Sequence, residues 1–158
     1  MTDAQWDDGM ALKFHGARRM TIQAWDALKS SQGSVVLMSG NAALDPKPGN
    51  AAVAAINAAI DALAKAFAEQ GIKDRVQVKS VSPGAVMTGR RRAFFEKWAP
   101  AHNLTVEEAL KKFPEQAGIT RFGKPEEIAE LLGYLVSPAA KWMTGASVRM
   151  DGGEIKTI

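Results

Sequence analysis

Apolar residues recur at steps of three and four through Trp6, Met10, Phe14, Ala17, Thr21, Trp25 and Leu28. They follow Thr2-Asp3-Ala4-Gln5, which has the spacing of a capping box, so the pattern predicts an amphipathic helix over 2–30. Gln32-Gly33 breaks it. Ser34-Val35-Val36-Leu37-Met38-Ser39 is then an apolar run without alternation, as in a parallel strand covered on both faces. Turn residues fill 40–49. A second helix over 50–70 places Val53, Ile56, Ile60, Leu63 and Phe67 on one face, among alanines that allow another helix to approach closely. Gly71 is expected to close it, and residues 75–81 form a second strand stopped by Ser82-Pro83-Gly84.

The connection over 85–122 holds two short helices, one around 92–98 and one opened by Thr105 with Glu108 in capping-box position. A connection that long is usually a lid or a binding loop. A third helix starts at Pro125, carries Ile128, Leu131, Leu132, Leu135 and Val136 inward, and ends at Ser137-Pro138. Residues 146–150 alternate like an edge strand. This order predicts an α/β fold, a parallel sheet of three strands with three main helices plus a helical insertion, in one domain over 1–158. A complete doubly wound dinucleotide fold has about six strands, so the expected sheet is about half of one.

Composition narrows the chemistry. The 158 residues include no Cys, which excludes a disulfide framework, a thiolate metal site and a cysteine nucleophile, and fits a cytoplasmic location. No run of about 18 apolar residues and no secretory pattern behind Met1 is found, so no membrane association is expected. With 20 Lys+Arg against 17 Asp+Glu the net charge is only +3, and no nucleic-acid partner is expected. His15 and His102 lack metal-ligand spacing to each other or to acids, so no metal site is expected. Asp61, Lys65 and Glu69, four residues apart, are expected to decorate an exposed face. Trp6, Trp25, Trp98 and Trp142 are expected in the core or at an interface, and Tyr134 among core positions.

Four segments in this order resemble the C-terminal half of a short-chain dehydrogenase/reductase. They are Gly33-Ser34-Val35-Val36-Leu37-Met38-Ser39, Ser82-Pro83-Gly84-Ala85-Val86-Met87-Thr88, Arg121-Phe122-Gly123-Lys124-Pro125-Glu126-Glu127-Ile128-Ala129, and Thr144-Gly145 followed by Asp151-Gly152-Gly153. The resemblance implies a partial Rossmann-like, doubly wound sheet in which 85–122 is the substrate loop. It also implies that Pro83, Gly84, Val86 and Thr88 are the remnant of the site for the nicotinamide end of NAD(P). No G-x-G-x-x-G occurs in the sequence, so no cofactor is expected on this chain alone, and NAD(P) only if a separate N-terminal half completes it.

In this family a Tyr and a Lys one helical turn apart transfer the proton, helped by a Ser and by an Asn on the first helix. Aligned through Pro48-Gly49, the Tyr falls on Val53, the Lys on Asn57, the Ser on Gly40 and the Asn on Lys13. The catalytic residues are thus unknown. Arg90, Arg91 and Arg92, at the start of the loop, are candidate ligands for a carboxylate or phosphate, against the plainer reading of a solvated helix start. The resemblance also implies a homo-oligomer through helices 2–30 and 50–70, with the exposed strand 34–39 open to pairing.

Three functions are compatible with these residues. One is an oligomeric binding or assembly module descended from NAD(P)-dependent oxidoreductases, without hydride transfer by itself. Another is a subunit of such an oxidoreductase completed by a separate N-terminal half. The third is a cofactor-independent hydratase, isomerase or hydrolase using Arg90, Lys47, Asp45 or His102 in the former substrate pocket.

Overall fold

A computed structural model of the chain describes residues 2–156. Met1, Thr157 and Ile158, and with them the outer limits of the expected 1–158 domain and the reading at Met1, lie outside the described residues. The first helical stretch comprises α1 (Asp3–Gly9), a π-helical segment (Met10–His15) and α2 (Gly16–Ser31). Thr2 and Gln5 form the expected capping box. The π segment was not legible in the apolar spacing, and it carries Lys13. Such widened turns are frequent at functional sites.

Strand β1 (Ser34–Met38) follows, then α3 (Ala51–Asp74) and β2 (Gln77–Pro83). Gly71 does not close α3. The helix runs on to Asp74 and ends at Arg75, whose φ of 60° supplies the left-handed turn. Gly71 answers a different need, since a Cβ there would lie 2.1 Å from the Val76 carbonyl oxygen. Helix and strand entry meet at that point, which shifts β2 two residues later than its predicted 75–81 start. By length and composition the stretch Pro48–Asp74 is apolar enough to cross a membrane. Here α3 lies against β1 and β2, and Ile60, Ala64 and Ala68 are buried.

The insertion over 85–122 forms α4 (Gly89–Ala101), capped by Thr88, and α5 (Val106–Ala117), capped by Thr105 and Glu108. It has a small core of its own, with Phe95, Ala99 and Ala109 buried beneath Trp98, Phe113 and Phe122. A bridge between Val86 and Gly123 pins its two ends together. Helix α6 (Pro125–Val136) and β3 (Ser147–Met150) complete the order. Ile128 and Leu135 are buried, but Val136 and Tyr134 are 54% and 48% exposed, contrary to their expected inward placement. They flank the buried stripe by one position, a rotation of about 100° around the helix.

All pairings are parallel and the strand order is β1-β2-β3. The register aligns Val36 with Lys79 and Val81 with Val148. One core face packs Leu37, Ile60, Ala64, Ala68, Val76 and Val78 against Phe14, Trp25, Leu28 and Phe67. Trp25 stacks on Phe67 at 5.6 Å, whereas Trp142 is almost fully exposed and joins no core. Lys79 is buried on β2, and its Nζ donates to the Leu135 carbonyl at 2.7 Å. Burial without an anionic partner lowers its pKa. Strand β1 is an edge of the sheet, as expected for 34–39, with an apolar groove of about 380 Å³ between it and α2.

Candidate functional site

The four positions that the family resemblance singles out converge at the C-terminal end of β1, where open α/β sheets bind ligands. Lys13 reaches in from the π segment. Its ammonium donates to the Ser39 carbonyl at 3.0 Å and to Asn57 Oδ1. Asn57 is buried on α3, and a Cβ on Gly40 would stand 2.8 Å from its Nδ2. Burial lowers the Lys13 pKa, partly offset by the carboxylate of Asp61 and reinforced by Arg90. An amine and an amide therefore do meet here, but each comes from the helix on which the resemblance puts the other. Val53, one turn before Asn57, is 48% exposed and brings no hydroxyl.

Asp61 is not the surface decoration expected of it. It accepts from the hydroxyls of Ser39 at 2.8 Å, Ser80 at 2.6 Å and Ser147 at 3.3 Å, one serine from each strand or its end. Ser39 also donates to the Asn57 carbonyl at 3.0 Å. The sequence held a signal for this: Asn57, Asp61, Ala64 and Ala68 follow helical spacing and share the buried face with the alanines. Only Lys65 and Glu69 form the exposed pair anticipated, at 3.2 Å.

Two clefts open beside this network. One, of about 410 Å³, is bordered by Gly40, Val53, Asn57, Lys47, Arg91 and Glu154. The other, about 760 Å³, shares Val53 and Arg91 and adds Val86, Thr88, Arg90 and Phe113. Asn41 and Glu154, which sequence reasoning missed, tie the floor together. Asn41 Nδ2 donates to Glu154 and to Asp151, both at 3.1 Å. The arginine run divides: Arg90 and Arg91 border the clefts, while Arg92 pairs along α4 with Glu96 at 3.5 Å.

The turn after β2 keeps the shape expected of a nicotinamide-side loop. Gly84 is required there, because a Cβ would come within 2.7 Å of Asp151 and Glu154. Its backbone donors are already engaged, however. Gly84 N–H goes to Met150 O, Ala85 N–H to Glu154 Oε2, Val86 N–H to Gly84 O and Met87 N–H to Gly123 O. Thr88 Oγ1 caps α4 by accepting from Arg91 N–H at 3.2 Å. Pro83, Gly84, Val86 and Thr88 do border the clefts. With those four donors taken, the turn offers a nicotinamide amide no open backbone N–H at residues 84–87.

The remaining candidates are placed as follows. Asp45 and Lys47 border the smaller cleft but are bound to each other at 2.7 Å. His102 borders neither cleft and stacks on Trp98 at 3.9 Å, at the far end of α4. His15 packs edge-on to Phe14. Among the described residues no group of three or more His, Asp or Glu side chains is arranged to hold a metal ion.

Comparison with known proteins gives a consistent picture. Residues 1–154 match the family described as enoyl-(acyl carrier protein) reductase. An uncharacterized oxidoreductase of Bacillus subtilis, YvaG, is 29% identical over 147 residues, 90% of this chain and 56% of its own length. The 3-oxoacyl-[acyl-carrier-protein] reductase FabG of Thermotoga maritima is 28% identical over 97% of this chain and 58% of its own length. L-Sorbose reductase of Gluconobacter frateurii, solved with NADPH and L-sorbose, superposes on the whole chain with a TM-score of 0.94 at 22% identity, over 61% of its own length. An NADPH-bound short chain oxidoreductase of Pseudomonas aeruginosa with an atypical catalytic center superposes with a TM-score of 0.86 at 25% identity, over 60% of its length. The chain thus spans less than two thirds of the relatives it matches. Sequence match and fold together establish that the chain belongs to the short-chain dehydrogenase/reductase family.

Proposed function

We propose that this chain is an oligomeric, ligand-binding member of its family that performs no hydride transfer by itself. The observation that carries this reading is Val53. The side chain that borders both clefts at the place of the family's proton donor is an alkyl group, and the sole tyrosine, Tyr134, is exposed on α6. Lys13 does not replace the phenol, because its ammonium is directed at Asn57 and the Ser39 carbonyl. What remains is a cleft with positive and apolar walls on a rigid scaffold. Self-association through the first helical stretch and α3 is supported by exposed apolar side chains: Leu12 on the π segment, Met20 and Ile22 on α2, and Ile72 on α3, which are 82%, 75%, 49% and 65% exposed.

A second reading is favoured by the free edge of β1. Its unpaired backbone and the adjoining apolar groove suit a further parallel strand, which a separate N-terminal half would supply. NADPH, bound by the sorbose reductase and by the Pseudomonas protein, would then be the cofactor of the completed assembly. A hydratase, isomerase or hydrolase has less support, since Asp45 and Lys47 neutralise each other and His102 stands apart. The test is NADPH consumption by the purified chain with L-sorbose and with 3-oxoacyl thioesters. The reading expects no turnover above the buffer rate, and turnover removed by Asn57→Ala would refute it.

A further inference from the structure

We infer that the larger cleft is a receptor for a small amphipathic anion, a carboxylate or phosphate on an apolar body, held by Arg91 with Arg90. The inference rests on the reading that this is the ligand-binding side of the fold. The cleft of about 760 Å³ is bordered by Val53, Val86, Phe94 and Phe113, with Arg90 and Arg91 as its charged groups and no carboxylate among its lining residues. That combination matches a ligand with one charged end.

Arg91 is the anchor. Its guanidinium lies over the Phe113 ring at 5.5 Å and is half-buried. Arg121, by contrast, makes a two-pronged pair with Glu127, at 2.9 and 2.6 Å, and Arg92 has Glu96. Glu154, the acid whose field reaches Arg91, already accepts from Asn41 and from the Ala85 amide. Among the described residues no hydrogen bond or ion pair engages the Arg91 fork, so its donors are open to a planar or tetrahedral oxyanion beside the Phe113 ring. Both arginines sit in the first turn of α4, whose positive dipole end adds to the attraction. Val53 completes the receptor: the loss of a hydroxyl there extends the apolar wall next to the two cations.

Calorimetric titration of the full chain with sodium octanoate, octyl phosphate and 1-octanol tests this. Octanoate or octyl phosphate should bind saturably, and 1-octanol roughly tenfold or more weakly. The preferred head group identifies carboxylate or phosphate as the natural end. Arg91→Gln should weaken the bound anion roughly ten- to a hundredfold, Arg91→Lys by less, and Arg92→Gln should leave it unchanged. Thermal unfolding of each variant checks that the fold is intact, and Arg91→Lys carries the test if Arg91→Gln does not fold. Equal binding of octanol, no anion binding, or affinity insensitive to Arg91 would overturn the inference. NADPH turnover would refute the parent reading instead and would leave these affinities as they are.

Discussion

The ammonium of Lys13 is hydrogen-bonded to the side-chain oxygen of Asn57, joining the π segment of the first helical stretch to the middle of α3. The pair exchanges the amide and the amine that the family resemblance assigns to these helices. It also closes a network through Ser39 to Asp61 that fastens two helices to the sheet. Removing the amine leaves a buried amide oxygen without its donor. Lys13→Met should therefore destabilise the chain by about 1–3 kcal/mol, and Asn57→Leu by a similar amount. Urea unfolding of both single variants and the double variant should show a coupling of about 0.5 kcal/mol or more. Additive losses would mean that the two side chains do not act on each other.

Gly40 is held to its identity by the same pair. A Cβ there would press on Asn57 Nδ2 at 2.8 Å, and Asn57 cannot swing aside while Lys13 holds its other end. Gly40→Ala should lower stability by about 1 kcal/mol in the parent chain. In an Asn57→Ala background it should be neutral. A loss that persists in that background would point to the backbone of Gly40 and away from this contact.

Gly71 makes a stronger case. The carbonyl oxygen of Val76 occupies the space of a Cβ, and backbone at the entry to β2 cannot retreat without breaking the register with β1. Gly71→Ala should cost about 3 kcal/mol or more, in spite of alanine's higher helix propensity. Unfolding midpoints compared with those of the exposed site Gly133→Ala, where a Cβ meets nothing, separate the two effects.

Acid should expose one more fastening. Asp74 accepts from Trp25 Nε1 at 2.8 Å and from Gln70 at 2.8 Å, and pairs with Lys29 at 3.1 Å. The Trp25 hydrogen bond first, then Gln70 and Lys29, depress its pKa from 3.8 to about 2. The folded state thus holds its proton less tightly than the unfolded chain does. The stabilisation is complete above an unfolded pKa of about 4 and is lost as pH falls toward 2. The difference in urea midpoint between the parent and Asp74→Asn should be constant near neutrality and shrink through this window. A difference that grows on acidification would reverse the assignment.

Much of the fold was legible because it rests on local rules. Thr2, Thr105 and Pro125 mark helix starts, and the unbroken apolar run at 34–38 marks a strand, although only Leu37 in it is buried and Met38 is exposed. Gly71 misled because a glycine can answer either a left-handed turn or a close approach, and only tertiary contact decides which. The site was half legible. The family resemblance pointed to Lys13, Gly40, Val53 and Asn57, but not to the bond between Lys13 and Asn57, since that requires knowing which side chains touch. Asp61 was misplaced because charge at intervals of four looks the same on an exposed face as on a buried one. The run at 90–92 was divided by helical geometry, which turns successive residues about 100° apart.

The central claim, that this chain binds ligand but holds no functional NAD(P) site of its own, is met most directly by titrating the purified protein with NADPH in a calorimeter. Light scattering in the same buffer fixes the mass of the species titrated. The account predicts no saturable heat up to about 1 mM NADPH from a dimer or larger assembly. Saturable binding near 1 μM or tighter, by any assembly of this chain alone, would contradict it.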